Sequence, residues 1–523
     1  MKSIYKKKNG KSKGVFLAIF GLVLLTASCK KFTELQPLDA LSDQTAFESK
    51  ASIELAMNGV YQQAAVGTYN GGGGRGYPFG AASIEQSEMR GEDMVNLATF
   101  YQITYQSTIS TSSANNVNHY ENLYNLINQA NIIIEGVRKA ASNGVLTAAE
   151  ANAYEGESRF IRALSHHELV LNFAKPYADG NGAAAGVPYR ETAISSTAAF
   201  DQASQVGRGT VAEDYTKILA DLDFAEANLG GRTDYSRATK GAAIALKTRI
   251  LLHKGDWAGV IAEGAKLGTS GAAPFTSTVG GYKLTDSPDG PFVNFKSNTE
   301  SIFSIANSAA SNGDVNGALA SMLLPASEGG RSLVATSPNL YNAPFWVAGD
   351  LRKSLLQVAE KGVYYNNKYK DATTKTDWSP IIRYAEVLLN VAEADARTGN
   401  NAQALALLNA VRNRSVPAAS RFTTAPADML LAILNERRVE FAGEGRRWAD
   451  LHRLALDTKY GTGGIPAKLN PGQVNSGTVY DGKTLITPAR AAIAYTDYRF
   501  LWPFPLSEVN SNPLIAGQQN PGY

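Results

Sequence analysis

Cysteine is what this 523-residue chain has least of, with one, and histidine, like tryptophan, occurs only five times. One thiol cannot form an internal disulfide, so neither a disulfide-stapled scaffold nor an oxidative crosslink is expected. The histidines are His119, His166, His167, His253 and His452. None has another one helical turn away. The neighbours His166-His167-Glu168 would leave a helix about 100° apart, so no metal site is expected. G-x-S-x-G and G-x-x-x-x-G-K are both missing, which removes the usual serine elbow and phosphate loop. Gly71, Gly73 and Gly76 satisfy G-x-G-x-x-G, but Tyr77-Pro78-Phe79-Gly80 follows where a dinucleotide site needs a helix. Acidic residues are plentiful, yet nothing singles out a catalytic pair. The expectation is a protein without catalysis, metal or cofactor.

An excess of one charge is also missing. Lys+Arg total 50 and Asp+Glu 47, and six of the lysines precede residue 14. Without those six the balance is 44 minus 47, or −3. A slightly acidic body with scattered cations gives no basic surface, so nucleic acid is not an expected partner. What is present is 44% hydrophobic residues at a mean hydropathy of −0.19, enough for a folded, water-soluble body with an extensive core.

The amino terminus is read as a signal peptide over residues 1–28. Its lysines precede an apolar run from Val15 to Ala27, and Leu25-Thr26-Ala27-Ser28 leads into Cys29. At about 1.5 Å per residue that run is too short to cross a bilayer as a helix. The motif is similar to the lipobox of bacterial lipoproteins, in which this cysteine is lipidated and becomes the first mature residue. Two or more acyl chains make a lasting anchor. Residues 29–50, polar and containing Pro37, read as the tether.

Beyond it, apolar residues three or four apart predict helices over 120–140, 148–173, 211–229, 238–268, 380–398, 401–414 and 427–455. Residues 67–118 and 269–345, rich in Gly, Ser and Asn, read as loops, with Ser301–Ile305 a possible strand. Two stretches read as helix hairpins of tetratricopeptide type. In one, Gly399-Asn400 turns between Leu388, Val391, Ala392 and Ala404, Leu408, Val411; the other turns at Gly255. Their wide separation rules out a plain tandem array. The charged run from Asn435 to Leu451 is read as structural, with Leu434, Val439, Phe441, Trp448 and Leu451 inward and Arg and Glu pairing across helices.

At these residues the chain resembles the SusD/RagB family of outer-membrane nutrient-binding lipoproteins. Further family-like blocks are Tyr120–Tyr124 with Ala130-Asn131, Glu157–Leu164, Asp350–Arg352, Pro380–Leu389 and the ending Leu501–Pro505 through Tyr523. The resemblance implies a mainly α fold, a tetratricopeptide-like helical superhelix with long loop-rich insertions and a few short strands. It implies one body over 51–523, with tetratricopeptide-like helices over about 51–270 and the SusD/RagB part over about 271–523. It also implies a SusC-like, TonB-dependent transporter as partner and an oligosaccharide, or in some branches a peptide, as ligand, captured at the outer-membrane surface without catalysis. A helical-repeat lipoprotein that contacts only proteins is the rival reading, and a surface hydrolase a second.

A glycan site combines flat aromatic faces with polar partners. The loop before the Tyr120 helix offers Tyr77, Phe79, Arg90, Asp93, Asn96, Phe100 and Tyr101. The insertion before Asp350 offers Trp346, with Tyr341 and Phe345 beside it. Between residues 307 and 336 no aromatic residue occurs, which leaves a peptide open.

Overall fold

The computed structural model describes residues 45–231, 234–474 and 479–523. The signal peptide, Cys29 and most of the tether lie outside these residues. Helix α1 (Lys50–Val66) opens on a reciprocal cap between Ser49 and Ser52. α2 (Ala81–Arg90) and the short α3 (Gln102–Gln106) follow. The long pair α4 (Ala114–Ser142) and α5 (Ala148–Phe173) is joined by a turn in which Thr147 and Glu150 cap one another. The periodic stripe Leu123, Ile127, Ala130, Ile134 and Val137 of α4 is wholly buried. α6 (Val211–Asn228), α7 (Lys240–Lys254) and α8 (Trp257–Lys266) continue the stack.

After a long interruption come α9 (Tyr384–Arg397), α10 (Asn401–Arg412), α11 (Met429–Glu440) and α12 (Arg447–Arg453). The hairpins α7–α8 and α9–α10, far apart in sequence, are neighbours in space, with α8 lying along α9. The approach is close: a Cβ on Gly264 would stand 2.3 Å from a Val391 methyl, so no larger residue fits there. Gly399 turns the second hairpin at φ 87°, a conformation that favours glycine. The body is thus mainly α, a helical array with loop-rich insertions, as expected. Among the described residues β structure is limited to four two-stranded ribbons and a few isolated bridges, and no helix is long and apolar enough to cross a membrane.

The loop reading of 67–118 needs correction. α2 lies in the middle of it, and Ala81, Ala82, Ser83, Ile84, Glu85, Gln86, Glu88, Met89 and Arg90 are all buried. The helix is short and largely polar, with Ile84 and Met89 its only large apolar residues, and it lies in a stretch rich in Gly, Ser, Thr and Asn, so its text reads as loop. Strand β1 (Met94–Asn96) follows it. The other strands are β2 (Ser301–Ile305), β3 (Val334–Thr336), β4 (Gln357–Glu360), β5 (Val363–Asn366), β6 (Ser379–Arg383), β7 (Gly464–Ile465) and β8 (Ile493–Ala494).

Two large cores result. The first unites the helical stack, with Leu, Ile, Val and Ala from α1 and α4 to α11. The second lies under the insertions and is rich in aromatics: Tyr101, Tyr105, Phe292, Trp346, Tyr365, Tyr369 and Tyr480. Buried ion pairs join them. The Arg383 guanidinium lies 5.3 Å from the Phe292 ring of the second core and 5.4 Å from the Phe441 ring of the first. It pairs with Glu300, Glu440 and Glu444. Glu440 also takes Arg352 at 3.1 Å and Arg414 at 2.7 Å. The charged run therefore has the structural role read from the sequence, and its five apolar residues are buried. Gly445 N donates to Glu88 Oε1 at 2.7 Å, tying this run to α2.

Candidate aromatic and arginine site

Two segments far apart in sequence meet at one surface. β1 runs antiparallel to β3, with Val95 opposite Ala335, and Leu97 N donates to Leu333 O at 2.8 Å. The loop before α4 and the insertion before Asp350 are therefore one neighbourhood. The tip of the insertion rests on the backbone of Arg75: a Cβ on Gly317 would come within 2.4 Å of the Arg75 carbonyl carbon.

The glycine-rich loop is folded back on α1, with Arg75 N and Gly76 N both donating to Val66 O at 3.1 and 3.0 Å. That return presents Arg75 between two half-exposed rings. Its guanidinium carbon is 4.3 Å from the Tyr69 centroid and 5.2 Å from that of Phe100. The rings lie 6.2 Å apart at 48°. Phe100 is held edge-on by buried Tyr101 at 4.7 Å. Arg331, reaching Asn316 Oδ1 at 2.9 Å and Val315 O at 3.3 Å, orders the insertion tip alongside.

Beneath this surface is a fully buried carboxyl, that of Glu85. Both oxygens of Glu85 are sealed and lack a partner in good hydrogen-bond geometry among the described residues, as does the Tyr101 hydroxyl. Burial pushes Glu85 up to about 8, opposed by Tyr101 and by the charge of Arg331. Glu88 on the same helix is also raised to about 8, first by burial, against the Gly445 amide.

Of the candidate residues, only Phe100 keeps an exposed face; Tyr77, Phe79, Arg90, Asp93, Asn96, Tyr101 and Trp346 are interior. Tyr77 Oη accepts from Gln86 at 3.1 Å, and Phe79 belongs to the first core. Arg90 lies 3.4 Å over the Trp448 ring and donates to Asn172 Oδ1 at 2.9 Å and Phe500 O at 2.5 Å. Asp93 is paired with Arg438 and Arg447. Asn96 closes its own turn through Ala98 O at 2.6 Å. Trp346 packs 5.7 Å from Tyr341. Sequence reasoning passed over Tyr69 and Arg75 as site residues, although an arginine inside a glycine run with an aromatic just before it was a usable signal.

Tyr341 belongs to a second aromatic group: its ring is 4.4 Å from half-exposed Tyr364 and 5.6 Å from Tyr480. Lys353 Nζ lies 4.4 Å over Tyr341 and donates to its carbonyl at 2.8 Å. Both groups offer flat π-faces beside fixed cationic donors. Such an arrangement can stack on the C–H face of a ring or a peptide side chain while hydrogen-bonding its polar edge. Neither contains a nucleophile paired with a base. Among the described residues no group of His, Cys, Asp or Glu is arranged to hold a metal.

Two family models match the chain. One, described as the SusD family, covers residues 353–523; the other, described as starch-binding and associating with the outer membrane, covers residues 32–252. SusD-like protein P2 of Formosa agariphila is 24% identical over 96% of this chain and 98% of its own. A SusD superfamily protein from Bacteroides fragilis superposes with a TM-score of 0.73 at 26% identity, covering 89% of this chain and 99% of that one. A laminarin-binding SusD-like protein superposes at 0.63 with 21% identity, over 91% and 100%. Matches over both the amino-terminal helices and the carboxy-terminal third, joined by one shared fold, place the chain in the SusD/RagB family, to which it belongs.

Proposed function

We propose that this is a lipid-anchored nutrient-binding protein that holds an oligosaccharide at the Tyr69, Arg75 and Phe100 surface and passes it, unreacted, to a SusC-like, TonB-dependent transporter of the outer membrane. In this reading residues 1–28 are a signal peptide, Cys29 carries the lipid, a short tether follows, and residues 51–523 form one binding body facing the cell surface. The observation that carries the reading is the guanidinium of Arg75 set between two half-exposed aromatic rings, where two insertions meet over a rigid core. Membership of a family associated with the outer membrane supports it, as does the laminarin binding of a protein of the same fold.

A peptide is the second reading, favoured by the lack of any aromatic residue from 307 to 336, where Asn316 and Arg331 supply polar contacts instead. Titration of the full-length protein in mild detergent against neutral oligosaccharides and peptides separates these readings. Saturable oligosaccharide binding without product release is expected. Peptide binding alone selects the second reading. Silence across both panels leaves the protein-only scaffold, and released product reveals a hydrolase.

A further inference from the structure

A cleft of about 340 Å³ opens on the far side of α3, between Tyr105–Ser107 and the ribbon that carries β7 and β8. Three cations line it, Lys468, Arg490 and Arg499, and no carboxylate does. Lys468 and Arg490 stand directly opposite one another in an antiparallel bridge. Their backbones exchange hydrogen bonds of 3.1 and 2.9 Å. Side chains opposed in such a bridge leave on the same face, where like charges are unfavourable unless something of opposite sign lies between them.

Neither cation is neutralised by its surroundings. The Arg490 side chain makes no hydrogen bond or ion pair with any described residue, and its Nε is sealed from solvent without a partner. Lys468 is 3% exposed. Its Nζ donates to Met89 O at 2.6 Å and Tyr105 O at 3.1 Å, both uncharged, which leaves one of its three protons unspent. Burial pushes the Lys468 amine down to about 7, helped by Arg90 and Arg490, while Glu92 pulls the other way. Glu92 itself is already paired with Arg447 and Arg438. Arg499 is engaged with Asp497 at 2.6 Å. Other buried cations, such as Arg383 and Arg453, face carboxylates. Lys468 faces none, with half-buried Arg490 beside it, and an ammonium taken out of water without a counter-charge is costly.

We propose that the cleft is an oxyanion site, in which a sulfate, phosphate or carboxylate group sits between Lys468 Nζ and the Arg490 guanidinium. The planar fork of arginine offers two parallel donors to such a group and the lysine a third. The anion can be a free ion or a substituent on a larger ligand. The site is independent of the aromatic surface proposed above.

The test is a titration of full-length protein with sodium sulfate, chloride balancing the ionic strength. Saturable sulfate binding is expected, weakened about tenfold or more by R490Q, in line with the loss of a charge-assisted hydrogen bond. R490Q should not lower the Tm in chloride, because Arg490 ties down no other residue and its charge repels Lys468. R499Q, at the edge and already paired, should weaken binding less. Absence of saturable sulfate binding in the natural protein, or equal binding by R490Q, overturns the proposal. A second arm compares sulfated and carboxylated oligosaccharides with neutral ones. An R490Q-sensitive preference for the charged ligands assigns the anion to a substituent; sulfate binding without that preference assigns it to a free ion. Neutral oligosaccharide binding should be indifferent to R490Q, so failure here and failure of the glycan reading are distinguishable.

Discussion

The helical stack and the insertion-borne core bury similar kinds of surface by opposite means. In the stack, aliphatic residues recur at helical spacing and exclude water through repetition, as Leu388, Val391 and Ala392 do against Ala404, Leu408 and Val411. In the second core, short ribbons and loops converge on tyrosines and tryptophan, whose hydroxyl and indole groups need partners that loops only partly supply. Tyr480 finds Thr336 O at 2.7 Å and Tyr105 finds Leu469 O at 2.8 Å, whereas Tyr101 Oη and Trp346 Nε1 find none in good geometry. The stack can be regular because it only has to support. The second core spends its aromatics on a rim of Phe100, Tyr341, Phe345 and Tyr364 that partly faces outward, and that rim is where recognition can occur.

The buried ions between the two regions give the largest way to break this division. Removing the Glu440 carboxylate leaves Arg352, Arg383 and Arg414 short of a shared partner. E440A is expected to cost about 3–5 kcal/mol, read from urea denaturation. It should also let the second core, followed by hydrogen exchange of the β3, β4 and β5 amides, open before the amides of the helical stack. Coincident opening and an unchanged midpoint would mean that the remaining carboxylates rescue the cations and that the two regions are not joined there.

How much of this was legible follows from the same contrast. The α7–α8 and α9–α10 hairpins could be read, although α7 and α9 are buried on nearly every side, because their text is rich in Ala, Leu, Ile and Val and their turn glycines mark the ends. α2 could not, since it is short and largely polar, and its burial rests on partners far away in sequence, such as Gly445 on Glu88. The site was half legible. Phe100 is a candidate by residue type and is half-exposed, but type alone does not tell a ring that faces outward from one that fills a loop-built core. Tyr77, Tyr101 and Trp346 are candidates by type, and the structure places all three in the interior. Arg90 and Asp93 suggested a polar site for the same reason, and their partners Trp448, Arg438 and Arg447 are more than 300 residues away in sequence, as the Asp93–Arg438 separation of 345 illustrates.

Titration sharpens the comparison next, because the two regions respond to pH with opposite sign. His166, His167 and His253, at the heart of the stack, are held neutral by burial, and His452 and His119 are pushed down to about 4 and about 3. Depressed histidines contribute stability that is complete above the ordinary value of 6.5 and lost as pH falls towards the folded values. Glu85 and Glu88 are raised from 4.5 to about 8, so their contribution is complete below 4.5 and lost as pH rises to 8. Asp214, raised to about 7 by burial, adds a smaller loss of the same sign in the stack. Unfolding free energy should therefore peak near neutrality. E85Q should grow more stable relative to the natural protein from pH 4.5 to 8, by at most about 1.4 kcal/mol per pH unit. A difference independent of pH, measured by urea denaturation at pH 5, 6.5 and 8, would show that Glu85 titrates as an ordinary surface acid.

The smallest stability effect should accompany the largest functional one. Phe100 and Tyr69 are half-exposed and take part in no buried ion pair, so F100A and Y69A remove ring contacts at a rim instead of core volume. Each should change unfolding free energy by no more than about 1 kcal/mol. If the guanidinium and its two rings form the contact face, oligosaccharide affinity should nevertheless fall about tenfold or more for either variant, the loss typical of a ring at the centre of a binding surface. It should fall further for the double variant, since Arg75 would then keep neither ring. A Y341A control tests the second aromatic group in the same titration. Should Y341A lose affinity while F100A and Y69A retain it, the ligand surface moves to the Tyr341 and Tyr364 rim, and the partition between an inert stack and a recognising second core stands with a different centre.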